Sequence, residues 1–170
     1  MNSRTSWLLG VFALSCACGP ADTPEEESDA TGAIAWNEWV RDPSQIHAFL
    51  SAGEYLHWTS ESSVLESANG SGRRVFLNPD QAVSMAESRG LSTLGSAAVR
   101  EMYGPSGEEQ IGWAVAVKVA TEGLPSDWFF YETFDLDSPE NHTVASRGAP
   151  GCIGCHSTGT DYIQSTYPLR

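Results

Sequence analysis

The chain has 170 residues, 22 acidic side chains against 9 basic ones, and a formal net charge of −13. That balance excludes nucleic acid as a partner, because phosphate binding needs a basic surface. A hydrophobic share of 41% with six tryptophans excludes a largely disordered chain and supplies enough apolar surface for one domain with a core.

The first predicted element is an export signal over residues 1–18. Arg4 gives positive charge, residues 7–14 form an apolar run too short to span a bilayer, and small residues follow with Cys16 and Cys18. A bacterial lipoprotein signal ends in an acylated cysteine, so Cys16 or Cys18 is the candidate for lipidation. Neither cysteine has the large aliphatic residue three positions earlier that such signals favour, and an ordinary cleaved signal would discard both. Residues 19–33 hold Asp22, Glu25, Glu26, Glu27 and Asp29 and no base, the composition of an acidic flexible tether. The expected location is the periplasm or cell envelope, with membrane contact only through a lipid anchor.

Residues 34–170 are expected to form one domain. Apolar residues recur at helical spacing as Trp36, Trp39 and Val40, then Ile46, Phe49 and Leu50. The Asp42-Pro43 step divides them into two short helices, with Asp42 capping the second, Pro43 in its first turn, and Gly53 ending it. Residues 55–68 predict a helix plus loop, and Asn69-Gly70-Ser71-Gly72 a turn. A strand is expected over 74–77, then a helix over 80–88 opened by Asn78-Pro79. Residues 97–103 and 112–120 read as paired strands around a turn at 104–107. Residues 128–136 read as a further strand, whose alternation puts Trp128 and Phe130 on one face and Phe129 and Tyr131 on the other. This aromatic run is expected to wall a pocket, and a Gly/Pro-rich loop leads from it to Cys152. The sum is an α+β domain, a mainly antiparallel β-sheet with peripheral helices.

Cys152-Ile153-Gly154-Cys155-His156 is the motif with the most specific chemistry. In Cys-x-x-Cys-His the two thiols add to the two vinyl groups of haem, and the adjacent histidine places its imidazole on the iron. The expected cofactor is therefore one covalent haem c, held by Cys152 and Cys155, with His156 the axial iron ligand. Export agrees with this, because c-type haem is attached outside the cytoplasm. Three other readings compete. A thioredoxin-like redox pair needs a βαβ setting that this order of elements lacks, a zinc site needs further Cys or His ligands, and a plain disulfide leaves the histidine unexplained. Fourteen residues follow His156, and none is Met or His. A sixth iron ligand must come from His47, His57, His142, Met85, Met102 or Lys118; without one the iron is five-coordinate and open to a small molecule.

A series of segments adds to the haem motif. It comprises Val75-Phe76-Leu77-Asn78-Pro79, Gly95-Ser96-Ala97-Ala98-Val99-Arg100-Glu101-Met102-Tyr103 and Gly112-Trp113-Ala114-Val115-Ala116-Val117-Lys118. Asp127-Trp128-Phe129-Phe130-Tyr131-Glu132 comes next, then residues 152–162 around the motif, and Tyr167-Pro168-Leu169 closes it. In this order, from about residue 55 onward, the chain resembles the cytochrome P-460 family. The resemblance implies a mainly antiparallel β domain with peripheral helices, often a homodimer, carrying a five-coordinate haem that handles small nitrogen compounds. The best-known members oxidise hydroxylamine and carry a lysine cross-linked to the haem. Relatives called cytochromes c′-beta lack the cross-link and bind nitric oxide or carbon monoxide.

The family's Val-Lys-Glu-Leu pattern falls on Val99-Arg100-Glu101-Met102, so Arg100 replaces the cross-linking lysine. A guanidinium is a poor nucleophile, but its fork suits a carboxylate. Arg100 is expected to bind the cofactor through a haem propionate, or else to form a surface ion pair with Glu101 or Glu132. Lys118, the chain's single lysine, lies on a different predicted strand and could cross-link only if that strand faces the haem edge. No catalytic base is identified by motif: Glu101 and Glu132 are expected to be solvated, and Asp161 to cap or order the C-terminal segment. The leading expectation is binding of nitric oxide or a similar ligand. A hydroxylamine or nitric oxide oxidoreductase and an electron-transfer cytochrome with a redox partner protein are the alternatives.

Overall fold

The structure, a computed structural model, describes residues 42–67 and 70–170. The expected signal with Cys16 and Cys18, the tether and the helix before Asp42 lie outside the described residues.

The first described helix, α1 (Pro43–Ser51), starts as its sequence dictates: the Asp42 carboxylate accepts from Ser44 N at 2.9 Å and Pro43 occupies the first turn. Such a cap stabilises a helix by about 1 kcal/mol. Gly53, at φ +70°, takes the left-handed turn that ends it. Ile46, His47, Phe49 and Leu50 lie on its buried stripe.

After α1 the chain does not continue as the helix expected within residues 55–68. It makes turns and then two short strands, β1 (Thr59–Ser60) and β2 (Leu65–Glu66), both antiparallel to β3 (Gly72–Leu77). The cause lies at Glu61 between them. Its backbone N–H donates to Val75 O and its carboxylate accepts from Val75 N, each at 2.9 Å, so this segment is stitched to a sheet edge. Asn78 then caps α2 (Pro79–Ala86), accepting from Gln81 N at 3.0 Å and from Ala97 N at 2.9 Å.

Strands β3, β4 (Ala97–Tyr103), β5 (Gln110–Lys118), β6 (Trp128–Thr133) and β7 (His142–Arg147) form an antiparallel meander, the body of a seven-stranded sheet. β5 ends at Lys118 because Val119 N and Ala120 N turn to Asp127 O, and β6 ends at Thr133, whose hydroxyl pairs locally with Asp135. β7 replaces part of the expected Gly/Pro-rich loop. It is an edge strand of mostly small or half-exposed residues, with little hydrophobic alternation to announce it. The rest of that loop becomes the start of α3 (Pro150–His156), which carries the cysteine motif.

The sheet buries both faces. Phe76, Val99, Trp113, Val115, Val117, Phe129 and Tyr131 meet α1 on one face. On the other, Ala116, Trp128 and Phe130 meet Ala149, Cys152, Ile153 and Ile163, while Val75 and Leu77 meet Ala82 of α2. Large side chains buried this way each contribute about 1.5–3 kcal/mol. The architecture is α+β with a mostly antiparallel sheet, as the sequence predicts, and among the described residues three helices lie on its faces.

Candidate functional site

α3 lies on the Trp128/Phe130 face, and one turn of it brings Cys152 and Cys155 to the same side. Both thiols are free; Cys152 is half-buried and Cys155 exposed. His156 follows in the last turn with its ring edge-on to Phe130 at 5.2 Å. Its Nδ1 lies 2.6 Å from the carbonyl oxygen of Tyr162. A carbonyl only accepts, so Nδ1 carries the proton and Nε2 is left with the lone pair that a metal takes.

Cys152, Cys155 and His156 border an open cleft of about 660 Å³ between α3 and β7. It adjoins a narrower, mainly apolar cavity of about 120 Å³ over the sheet, and Arg100, Glu132, Cys152, His156 and Gln164 line both. The larger volume falls in the range of about 300–1,000 Å³ usual for small-molecule and cofactor clefts. Opposite α3 the sheet presents Ala98, Ala114 and Ala116, and Ala98 is the register partner of Ala116. This floor of methyl groups leaves room for a flat ligand.

At one end of the cavity stand two guanidiniums. Arg100 projects from β4 and Arg73 from β3, and both Nε atoms are buried without a hydrogen-bond partner. Arg100 donates to Ser67 Oγ at 3.1 Å, and Arg73 lies 3.6 Å from Glu61. Burial and then the Arg73 charge lower the pKa of Arg100, which marks a site where positive charge is concentrated. Two such donors fit an anionic group, and a buried donor left unpaired costs about 1–3 kcal/mol. Arg100 therefore meets the cavity rather than Glu101, whose side chain leaves the strand on the opposite face.

Glu101 corrects the sequence reading: it is 4% exposed rather than solvated, and accepts from Tyr55 and Tyr103. Glu132 is half-buried at the cavity, the one carboxylate among the described residues that lines it. Burial, then Glu132 and Cys155, raise the pKa of Cys152. That is the reverse of the low-pKa thiol a redox pair uses as its nucleophile.

The six candidates for a further ligand separate by position. His47 packs on Trp113 and His142 on Tyr131, both on the α1 face, and His57 is exposed. Met85, on α2, packs against the Val75/Leu77 and Trp128/Phe130 clusters, and Lys118 is committed to two aspartates. Met102 alone of the six lines the cavity. Among the described residues no three His, Cys, Asp or Glu side chains cluster as a metal site.

The segment after α3 is held from below. Lys118 Nζ lies 2.9 and 3.0 Å from the two Asp161 carboxylate oxygens and 3.6 Å from Asp127, with Trp128 beneath it at 5.1 Å. Asp161 also accepts from Ser92 N at 2.7 Å and from Trp128 Nε1 at 3.4 Å. Asp161 and Tyr162 both take left-handed backbone angles, φ +45° and +64°. Each such residue costs on the order of 1–3 kcal/mol and persists only where its surroundings impose it. Asp161 thus orders the C-terminal segment as expected, through Lys118.

Sequence reasoning missed Arg73, Gln164 and the Tyr162 carbonyl. Arg73 carried a usable signal, two residues before Val75 and so on the same face of a strand. A backbone carbonyl carries none. In comparisons of the sequence, no known family model and no curated protein matches the chain.

Proposed function

We propose that the chain is an exported monohaem c-type cytochrome of the cytochrome P-460 type, binding nitric oxide or a similar small ligand at an open iron. The observation that carries the reading is the placement of Cys152, Cys155 and His156 on one short helix at an arginine-bearing cleft, with His156 Nδ1 already engaged. Bound haem supplies an iron that coordinates diatomic or small nitrogenous ligands.

The chain's own residues then divide the work. Cys152 and Cys155 would hold the group by thioether bonds and His156 would offer Nε2. Arg100 and Arg73 would neutralise the propionates with their unpaired donors. Phe130 and the alanine floor exclude water and favour an apolar ligand. No lysine lines the cavity among the described residues, so the lysine cross-link of the cytochrome P-460 family would have no donor there, and the haem would be held by its thioethers alone.

The test is maturation in a host that attaches c-type haem, followed by haem staining after denaturation and reduced spectra with and without carbon monoxide. The reading expects a stained band and a spectrum that shifts with the gas. An unstained band removes every cytochrome reading. A low-spin spectrum indifferent to carbon monoxide favours the second reading, an electron-transfer cytochrome, for which Met102 at the cavity is the available sixth ligand. Glu132 at the same cavity is the group that could remove protons from a substrate, and steady hydroxylamine turnover would favour the oxidoreductase reading.

A further inference from the structure

We infer that Lys118 and Asp161 are positioning residues for His156, acting through the Tyr162 carbonyl. Asp161 and Tyr162 are consecutive, and both stand in the left-handed region. The Tyr162 carbonyl can reach His156 Nδ1 only while that pair keeps its conformation. Around the pair, Ile163 N turns back to Thr160 O at 3.0 Å, Gln164 Nε2 donates to Cys155 O at 2.6 Å, and the Ile163 side chain is buried beside Trp128 and Phe130. The side chain of Asp161 itself is held from β5, where its carboxylate takes Lys118 with both oxygens.

The surroundings of the ion pair explain why it is directed at Asp161. Lys118 Nζ faces two carboxylates, Asp127 and Asp161, and all three side chains are 3% exposed or less. Asp127 is already supplied by Gly123 N at 2.7 Å and Leu124 N at 3.1 Å, and stands farther from Nζ. Asp161 takes the shorter, two-oxygen contact and adds Ser92 N from the segment after α2. One buried cation on β5 therefore fixes the residue next to the histidine's hydrogen-bond acceptor. The chain's single lysine is spent on holding the ring's orientation.

The test uses the full chain with ¹⁵N-labelled histidine and reads the His156 ring by NMR. The wild type is expected to carry its ring proton on Nδ1, with slow exchange. Asp161→Asn, which removes the charge at constant size, should speed that exchange about tenfold or more, equivalent to about 1.4 kcal/mol. Asp161→Glu should recover part of the protection. If the Asn variant fails to fold, Lys118→Gln is read in the same way. A wild-type proton on Nε2, or an Asp161→Asn or Lys118→Gln variant with unchanged exchange, overturns the inference. In haem-bearing protein the same two variants should raise the reduction potential, because a histidine that loses its Nδ1 hydrogen bond is a weaker donor to iron. That second measurement rests on the proposed function. If no haem is attached, the function reading fails while the ring-proton measurement still decides the inference.

Discussion

Tyr55 donates its phenolic hydrogen to Glu101 Oε1 at 2.7 Å, and Tyr103 donates to Glu101 Oε2 at the same distance. Trp113 Nε1 in turn donates to the Tyr55 hydroxyl at 3.0 Å. A carboxylate this deep is kept in place by its donors, because burying it unpaired would cost several kcal/mol. The cluster lies on the face of the sheet that packs against α1, away from Arg100 and the cleft.

Tyr55→Phe should therefore lower stability by about 1–3 kcal/mol, since it strips one donor from Glu101 and leaves Trp113 Nε1 without its acceptor. Urea unfolding checks it, and on the proposed function carbon monoxide binding should be unchanged. Combined with Arg100→Ala on the other face, the two stability losses should add.

Burial first, and then the bond to Glu101, push Tyr103 up to about 12 from its ordinary 10.0, and raise Tyr55 for the same two reasons. Both phenols thus hold their protons more tightly folded than unfolded. The stability this gives is complete below pH 10, and is lost as pH rises through about 12. Tyrosinate absorbance followed alongside urea midpoints from pH 10 upward should show ionisation and unfolding rising together.

Gly159→Ala should loosen the C-terminal segment, because a Cβ there would run into the Ile163 carbonyl oxygen and Gln164 N. A backbone obstruction of this kind costs about 1–3 kcal/mol. The expected result is a lower unfolding midpoint together with faster exchange of the His156 ring proton, measured on the same sample.

Arg100→Ala removes a positive charge from the cavity without touching α3. On the proposed function the haem should stay attached, since the thioether bonds come from Cys152 and Cys155. The reduction potential should fall on the order of 60 mV, the equivalent of about tenfold in a one-electron equilibrium. Haem staining and a potentiometric titration check the two halves.

Much of the sheet was legible because its strands obey simple rules. Residues 97–102 alternate buried and half-buried in the structure, and the Trp128–Thr133 strand carries its aromatics on both faces as period two requires. The Asp42-Pro43 and Asn78-Pro79 starts declared themselves through cap chemistry. β7 did not, since an edge strand of His142, Thr143, Ser146 and Arg147 around Val144 and Ala145 has no buried stripe. Glu101 was misread because its partners, Tyr55 and Tyr103, reach it from one distant loop and from its own strand face. At the site, the cysteine and histidine positions follow from spacing alone. Arg73, Met102 and Glu132 became neighbours only through strand register, which pairs Arg73 with Met102 and Ala114 with Glu132.

The two halves of the cleft have separate origins in the chain. One side, from Cys152 through the Tyr162 carbonyl, is one continuous local stretch. Its opposing wall is assembled from β3, β4, β5 and β6, each giving two or three residues. On the proposed function, substitutions at Arg73, Arg100, Met102 or Glu132 would therefore change what enters the cavity and leave the cysteines and histidine that hold the cofactor untouched.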